Sequence, residues 1–76
     1  MSIYQVGNTF EYNGTLWEML RKQGRVELWK SLDSGWYQVL LYRTANVKED
    51  FLMWKRMKSE DRAHVVFDAV VGILRS

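Results

Sequence analysis

Residues 16–42, LWEMLRKQGRVELWKSLDSGWYQVLLY, decide how this chain folds. Three runs rich in apolar and aromatic residues, 16–22, 25–32 and 36–43, are separated by Gln23-Gly24 and by Asp33-Ser34-Gly35. Glycine-bearing breaks this short between β-prone runs are the signature of hairpins, because tight hairpin turns need the positive φ angles that glycine adopts without steric penalty. With Gln23-Gly24 as the turn, Trp17 faces Lys30, Met19 faces Leu28 and Arg21 faces Val26. The other face then pairs Glu18 with Trp29, Leu20 with Glu27, and Lys22 with Arg25. The third run is apolar at both parities, Trp36, Leu40 and Tyr42 on one and Tyr37, Val39 and Leu41 on the other, which is the pattern of a strand covered on two sides. The Asp33–Gly35 loop has two or three residues, and a slip of one would exchange the two sets between faces.

Toward the N-terminus, Asn13-Gly14 closes a further hairpin over Thr9–Leu20, with Phe10 opposite Trp17 and Tyr12 opposite Thr15. Residues 1–8 are a lead-in that can add a short edge segment through Ile3 and Val6. Toward the C-terminus, 44–50 is a polar connector. Residues 51–57 alternate as a fifth strand, although Val47, Phe51, Trp54 and Met57 also fall at helical spacing with Asn46 as a cap. The strand is preferred because Ser59 starts a fresh helix directly afterwards. Its hydroxyl suits the N-cap, and Glu60 and Asp61 place negative charge at the positive end of the helix dipole. Behind them Ala63, Val66, Phe67, Val70 and Leu74 recur on one helical face. The expectation is one α+β domain over 1–76: a lead-in over 1–8, an antiparallel β-meander of four to five strands over 9–57, and one helix over 60–75 packed on one face.

At 76 residues the chain buries only ~60% of its unfolded surface, so each apolar residue must be well placed. A hydrophobic fraction of 47% with 14% aromatics belongs to an ordered globular chain. The absence of cysteine excludes disulfides and thiolate zinc sites. No run approaches the roughly 20 apolar residues of a membrane helix, and the N-terminus lacks a signal core, so a cytoplasmic protein without membrane contact is expected. The formal charge of +2 permits contact with nucleic acid without demanding it. The short length and the lack of an export signal suggest a product of a phage or mobile element.

A single helix covers one side of such a sheet. The side carrying Phe10, Tyr12, Trp17, Met19, Val26 and Leu28 is the more continuous and is assigned to it. The other side then holds Leu16, Leu20, Trp29, Tyr37, Val39 and Leu41 with Glu18, Glu27 and Arg25 at its rim, an apolar centre with a charged border suited to a protein interface. The leading expectation is a small non-enzymatic binding protein, of inhibitor or adaptor type, that uses this face to form a homodimer or to dock on a protein partner. The alternative is a nucleic-acid-binding module. Arg21, Lys22 and Arg25 surround one hairpin tip, and Lys55, Arg56 and Lys58 lie beside Trp54 in the basic and aromatic mixture that contacts phosphates and stacks on bases. Trp17 and Trp36 read as core, whereas Trp29 and Trp54 are the better candidates for contact.

Nothing in the sequence points to a reaction. His64 is the only histidine and, with Glu60 and Asp68 near it on a helix, reads as a surface side chain in ordinary ion pairs. Glu11, Glu18, Glu27 and Asp33 are spread over strands and turns without the spacing of a metal site, and no phosphate loop occurs, so neither cofactor nor small-molecule substrate is expected. The C-terminal third, a basic aromatic stretch followed by Ser59-Glu60-Asp61-Arg62-Ala63 and Phe67, resembles the end of WGR domains, small sheet-plus-helix modules that touch nucleic acid. The Trp-Gly-Arg signature itself is missing, the nearest string being Gln23-Gly24-Arg25, so no residue role is carried over.

Overall fold

The computed structural model describes residues 7–12, 14–43 and 51–75. The expected lead-in strand through Ile3 and Val6 and the 44–50 connector lie outside these residues. Five strands, β1 (Thr9–Tyr12), β2 (Thr15–Gln23), β3 (Val26–Ser31), β4 (Tyr37–Tyr42) and β5 (Phe51–Met57), precede one helix, α1 (Glu60–Arg75). The strands pair antiparallel in sequence order, β1-β2-β3-β4-β5, and α1 packs across one face, so the chain is the expected α+β meander. Residues 51–57 are a strand and not a helix.

The first hairpin has the register read from Asn13-Gly14, with Phe10 opposite Trp17 and Tyr12 opposite Thr15. The second does not. Its turn is Gly24-Arg25 and not Gln23-Gly24: Gln23 pairs with Val26, Lys22 with Glu27 and Arg21 with Leu28. Gly24 takes the first turn position at φ 59°, a left-handed conformation that disfavours any residue with a Cβ. A register shift between Met19 and Arg21 then sets Met19 opposite Trp29, Glu18 opposite Lys30 and Trp17 opposite Ser31. The bulge sends both Leu20 and Arg21 toward the helix: Leu20 packs on the core beneath α1, and the Arg21 guanidinium lies 4.2 Å from the centre of the Phe67 ring.

This shift sorts the sheet into two chemically different faces. Val26, Leu28, Tyr37 and Val39 are buried against Ala63, Phe67 and Val70 of α1, with Leu20, Leu41, Met53 and Met57 around them. The opposite face gathers Trp17, Met19, Trp29, Leu40 and Tyr42, also buried, with Trp36 against them. The expected face assignment is therefore corrected in both directions. Trp17 and Met19 are not under the helix, while Leu20, Tyr37, Val39 and Leu41 are. The helix is fixed at its N-terminus by Ser59, whose hydroxyl accepts from the Arg62 amide at 3.2 Å. It is further held by Arg21, which donates to Asp68 at 2.8 Å. β4 is covered on both faces as its doubled apolar pattern implies, Val39 at 0% exposure on one side and Leu40 at 7% on the other.

The loop between β3 and β4 is longer than read, spanning Leu32–Trp36, and is closed by the Ser31 amide donating to the Trp36 carbonyl at 2.7 Å. Within it, the Ser31 hydroxyl accepts from the amides of Asp33 and Ser34. The Asp33 carboxylate in turn accepts from the Leu16 amide at 3.1 Å, tying this loop to the start of β2.

Candidate nucleic-acid interface

The face opposite α1 is held together by one buried carboxylate. Glu27 is 1% exposed, and a single oxygen of it accepts from the Trp29 indole N–H at 3.0 Å and the Tyr42 hydroxyl at 2.8 Å. It supplies an acceptor to both donors, and indole N–H and phenol O–H groups need partners once buried. Around this centre the rings cover one another: Phe10 lies tilted against Trp29 at 6.4 Å between centroids. This aromatic cluster is a second core, not an open surface.

The open part of the face begins at β5. Met53, Lys55 and Met57 alternate toward the α1 side, so Trp54 and Arg56 project to the other side, paired with Leu40 and Gln38 of β4. Trp54 is 56% exposed, the second most exposed of the large apolar residues on the sheet side being Leu52 at 48%. An exposed ring of this size is ordinarily free to sample rotamers, but this one is fixed. Its indole N–H donates to Gln38 Oε1 at 2.7 Å, and the same oxygen accepts from Arg56 Nη2 at 2.9 Å and Nε at 3.3 Å. Convergence of donors on one atom assigns that atom as the amide oxygen and locks indole and guanidinium side by side. The Arg56 guanidinium lies 5.3 Å from the Trp54 ring centre and 5.7 Å from that of Trp17, within cation–π range of both. One residue past the strand end, the Lys58 ammonium sits 4.8 Å from the Trp36 ring centre.

The strip Trp54–Arg56–Lys58 with Gln38 thus alternates aromatic faces and cations. Of the described strand residues that point to this side of the sheet, Glu27 is the acidic one, and it is buried and hydrogen-bonded away from β5. Glu11 and Glu18 alternate toward the helix side. The field at the strip is positive.

The other candidates are dispersed. Arg21 is drawn to the helix side, paired with Asp68 and contacting His64 Nδ1 at 3.3 Å. Lys22 lies on the opposite face, across from Glu27, and Arg25 donates to the Arg43 carbonyl at 2.8 Å. These three do not form one basic point. Lys55 is exposed on the side away from Trp54. The protein-interface set is also divided. Leu20, Tyr37, Val39 and Leu41 line the helix-covered core, Trp29 is 4% exposed in the aromatic cluster, and Leu16 is 37% exposed near the first hairpin. They form no common surface, because the bulge at Leu20 moved Trp29 to the face of Trp17 and Met19.

Gln38 was not singled out in the sequence. Its signal was there as the one polar side chain inside Tyr37–Tyr42, a strand otherwise apolar or aromatic. His64 contacts Glu60 at 3.6 Å through Nε2 and bridges to Arg21 through Nδ1, beside the helix and remote from the strip. Tyr37 donates to Glu60 at 3.2 Å, and burial, followed by the Glu60 charge and this hydrogen bond, pushes its hydroxyl above its ordinary pKa. Among the described residues no group of three His, Cys, Asp or Glu side chains could hold a metal ion, and no helix is long and apolar enough to cross a membrane.

Comparison with protein-family models, with curated proteins and with solved structures gives no match.

Proposed function

We propose that this chain is a non-enzymatic binding module for single-stranded nucleic acid, with β5 as its contact strip. The observation that carries the reading is Trp54, more than half exposed yet held by Gln38 and Arg56. A ring fixed in the open stacks a base without first losing rotamer freedom, and base–aromatic stacking contributes about 1–3 kcal/mol per base. Arg56 and Lys58, at alternate positions beyond it, supply charge for successive phosphates, and their stacking on Trp17, Trp54 and Trp36 keeps these cations on the same side as the ring. A duplex, whose bases are already stacked, offers the ring no such contact, so the reading favours single strands.

The test is a fluorescence-anisotropy titration of a labelled single-stranded oligonucleotide across a range of salt, with the matching duplex as competitor. With two phosphates neutralised, log K against log salt should fall with a slope of about −1.4. Trp54→Ala should weaken binding by roughly 5- to 150-fold at unchanged slope, and Lys58→Ala should reduce the slope. Absence of binding at low salt, or binding indifferent to Trp54→Ala, would overturn the proposal.

A further inference from the structure

Gln38 carries more hydrogen-bonding capacity than holding Trp54 requires. Its Oε1 is filled by three donors, Trp54 Nε1, Arg56 Nη2 and Arg56 Nε, whereas its Nε2 has no partner among the described residues. That nitrogen is open to solvent, since among the described residues no buried side-chain nitrogen or oxygen lacks a partner. The contacts to the oxygen fix the amide plane, and with it the direction of the nitrogen. Two N–H donors are thus presented at a set angle beside the exposed ring.

A glutamate at this position would hold Trp54 and Arg56 more strongly, because hydrogen bonds to a carboxylate are charge-assisted. It would also place a negative charge in the strip and donate nothing. The amide keeps the field positive and adds donors. No side-chain acceptor is then left on the strip: Trp54, Arg56 and Lys58 only donate, and the one amide oxygen is occupied.

Gln38 stands on β4, one strand in from the sheet edge and across from Arg56. On the reading of β5 as the contact strip, on which this inference rests, Arg56 and Lys58 hold phosphates along that edge. A base laid on Trp54 then turns the rim remote from its sugar inward over β4, about 4.8 Å away across the ladder. On that rim guanine carries O6 and thymine or uracil O4, both acceptors, whereas adenine and cytosine carry NH2 groups, which donate. A carbonyl there accepts from Gln38. An amine sets donor against donor and leaves both unsatisfied. We propose that Gln38 is the base-reading residue of the strip, and that the strip selects the keto bases guanine and thymine or uracil over the amino bases adenine and cytosine.

Anisotropy titrations of labelled oligo-dT and oligo-dC of equal length test it, with oligo-dC carrying a single hypoxanthine or a single adenine as a second pair. Those two purines offer like stacking area and differ in bearing a carbonyl or an amine on that rim. The wild type should bind oligo-dT roughly 2- to 10-fold more tightly than oligo-dC, the net worth of one hydrogen bond, and should prefer hypoxanthine to adenine. Gln38→Glu keeps an acceptor for Trp54 and Arg56 but exchanges the donors for an acceptor. It should bind every oligonucleotide less tightly and lose or reverse both preferences. Equal affinity within either pair, or preferences that Gln38→Glu retains, would overturn base reading and leave the contact strip standing. Failure of every oligonucleotide to bind at low salt would overturn the strip and this inference with it.

Discussion

Replacing Glu27 by leucine tests whether the aromatic face is a hydrogen-bonded core. The carboxylate is 1% exposed and one of its oxygens takes both the Trp29 and the Tyr42 donor. Leucine matches its bulk but accepts nothing. Each donor left buried and unsatisfied is worth about 1–3 kcal/mol, so the variant should lose about 2–6 kcal/mol. A chain of this length has a total stability of about 4–11 kcal/mol at ~0.05–0.15 kcal/mol per residue. Even the low end should lower Tm by roughly 8–16 °C, taking ~4–8 °C per kcal/mol for a domain this small. Urea and thermal melts followed by circular dichroism and tryptophan emission measure it. A double-mutant cycle separates lost hydrogen bonds from altered packing: Tyr42→Phe should be less damaging in the Glu27→Leu background than alone, since the hydrogen bond to Glu27 is then already lost. A Glu27→Leu protein as stable as the wild type, or strictly additive effects in the cycle, would refute the assignment of Glu27 as the polar anchor of this face.

Two further outcomes follow from the helix side. Tyr37 has its hydroxyl pKa raised in the fold, by burial first and then by Glu60, so above the ordinary value near 10 the unfolded chain releases that proton before the folded one does. Stability should therefore be fully present below about pH 10, decline as pH rises toward the folded-state pKa, and decline less steeply in Tyr37→Phe, as read by urea midpoints across alkaline pH. Ser59→Ala removes the acceptor for the Arg62 amide at the start of α1 and should lower stability by about 1 kcal/mol, visible as a shift in urea midpoint without a change in slope.

Much of this architecture was legible because local chemistry and long-range pairing agree. Asn13-Gly14 fixed the first register, Ser59-Glu60-Asp61 marked the helix start, and the doubled apolar pattern of β4 announced a strand with two covered faces. The second hairpin was not legible for a specific reason. Met19 and Leu20 are adjacent apolar residues, so either can be counted toward the core, and no alternation rule chooses between the in-register pairing and the bulge. Only the helix decides: its small and aliphatic Ala63, Val66 and Val70 fit against Val26, Leu28 and Val39, which leaves Trp17 and Trp29 to the opposite face. The side chains assigned to the apolar interface are split as a result: Leu20, Tyr37, Val39 and Leu41 lie beneath the helix, whereas Trp29 stays on the opposite face. The basic residues beside Trp54 were more readable, since they need only the alternation of one strand. Gln38 required knowledge of which β4 residue lies across from Arg56, information held in the pairing and absent from either segment alone.

The strip on β5 is also rigid for a reason that lies on the other side of the sheet. Met53 and Met57 pack into the core beneath α1, and between them Trp54 and Arg56 have no freedom to turn without withdrawing a methionine from it. β5 stands at the end of the strand order, where a lone outer strand would be the first element to fray, yet these two anchors and the Gln38 contacts bind it to the rest on both faces. A contact surface gains affinity when its groups are held in place before the ligand arrives. Lys55 and Arg56 along the same strand also oppose its pairing with another copy, because antiparallel association of two such edges would bring like charges together. An exposed aromatic on a basic edge strand is thus kept from aggregation by the same charges that, on the proposed reading, would draw an anionic ligand to it.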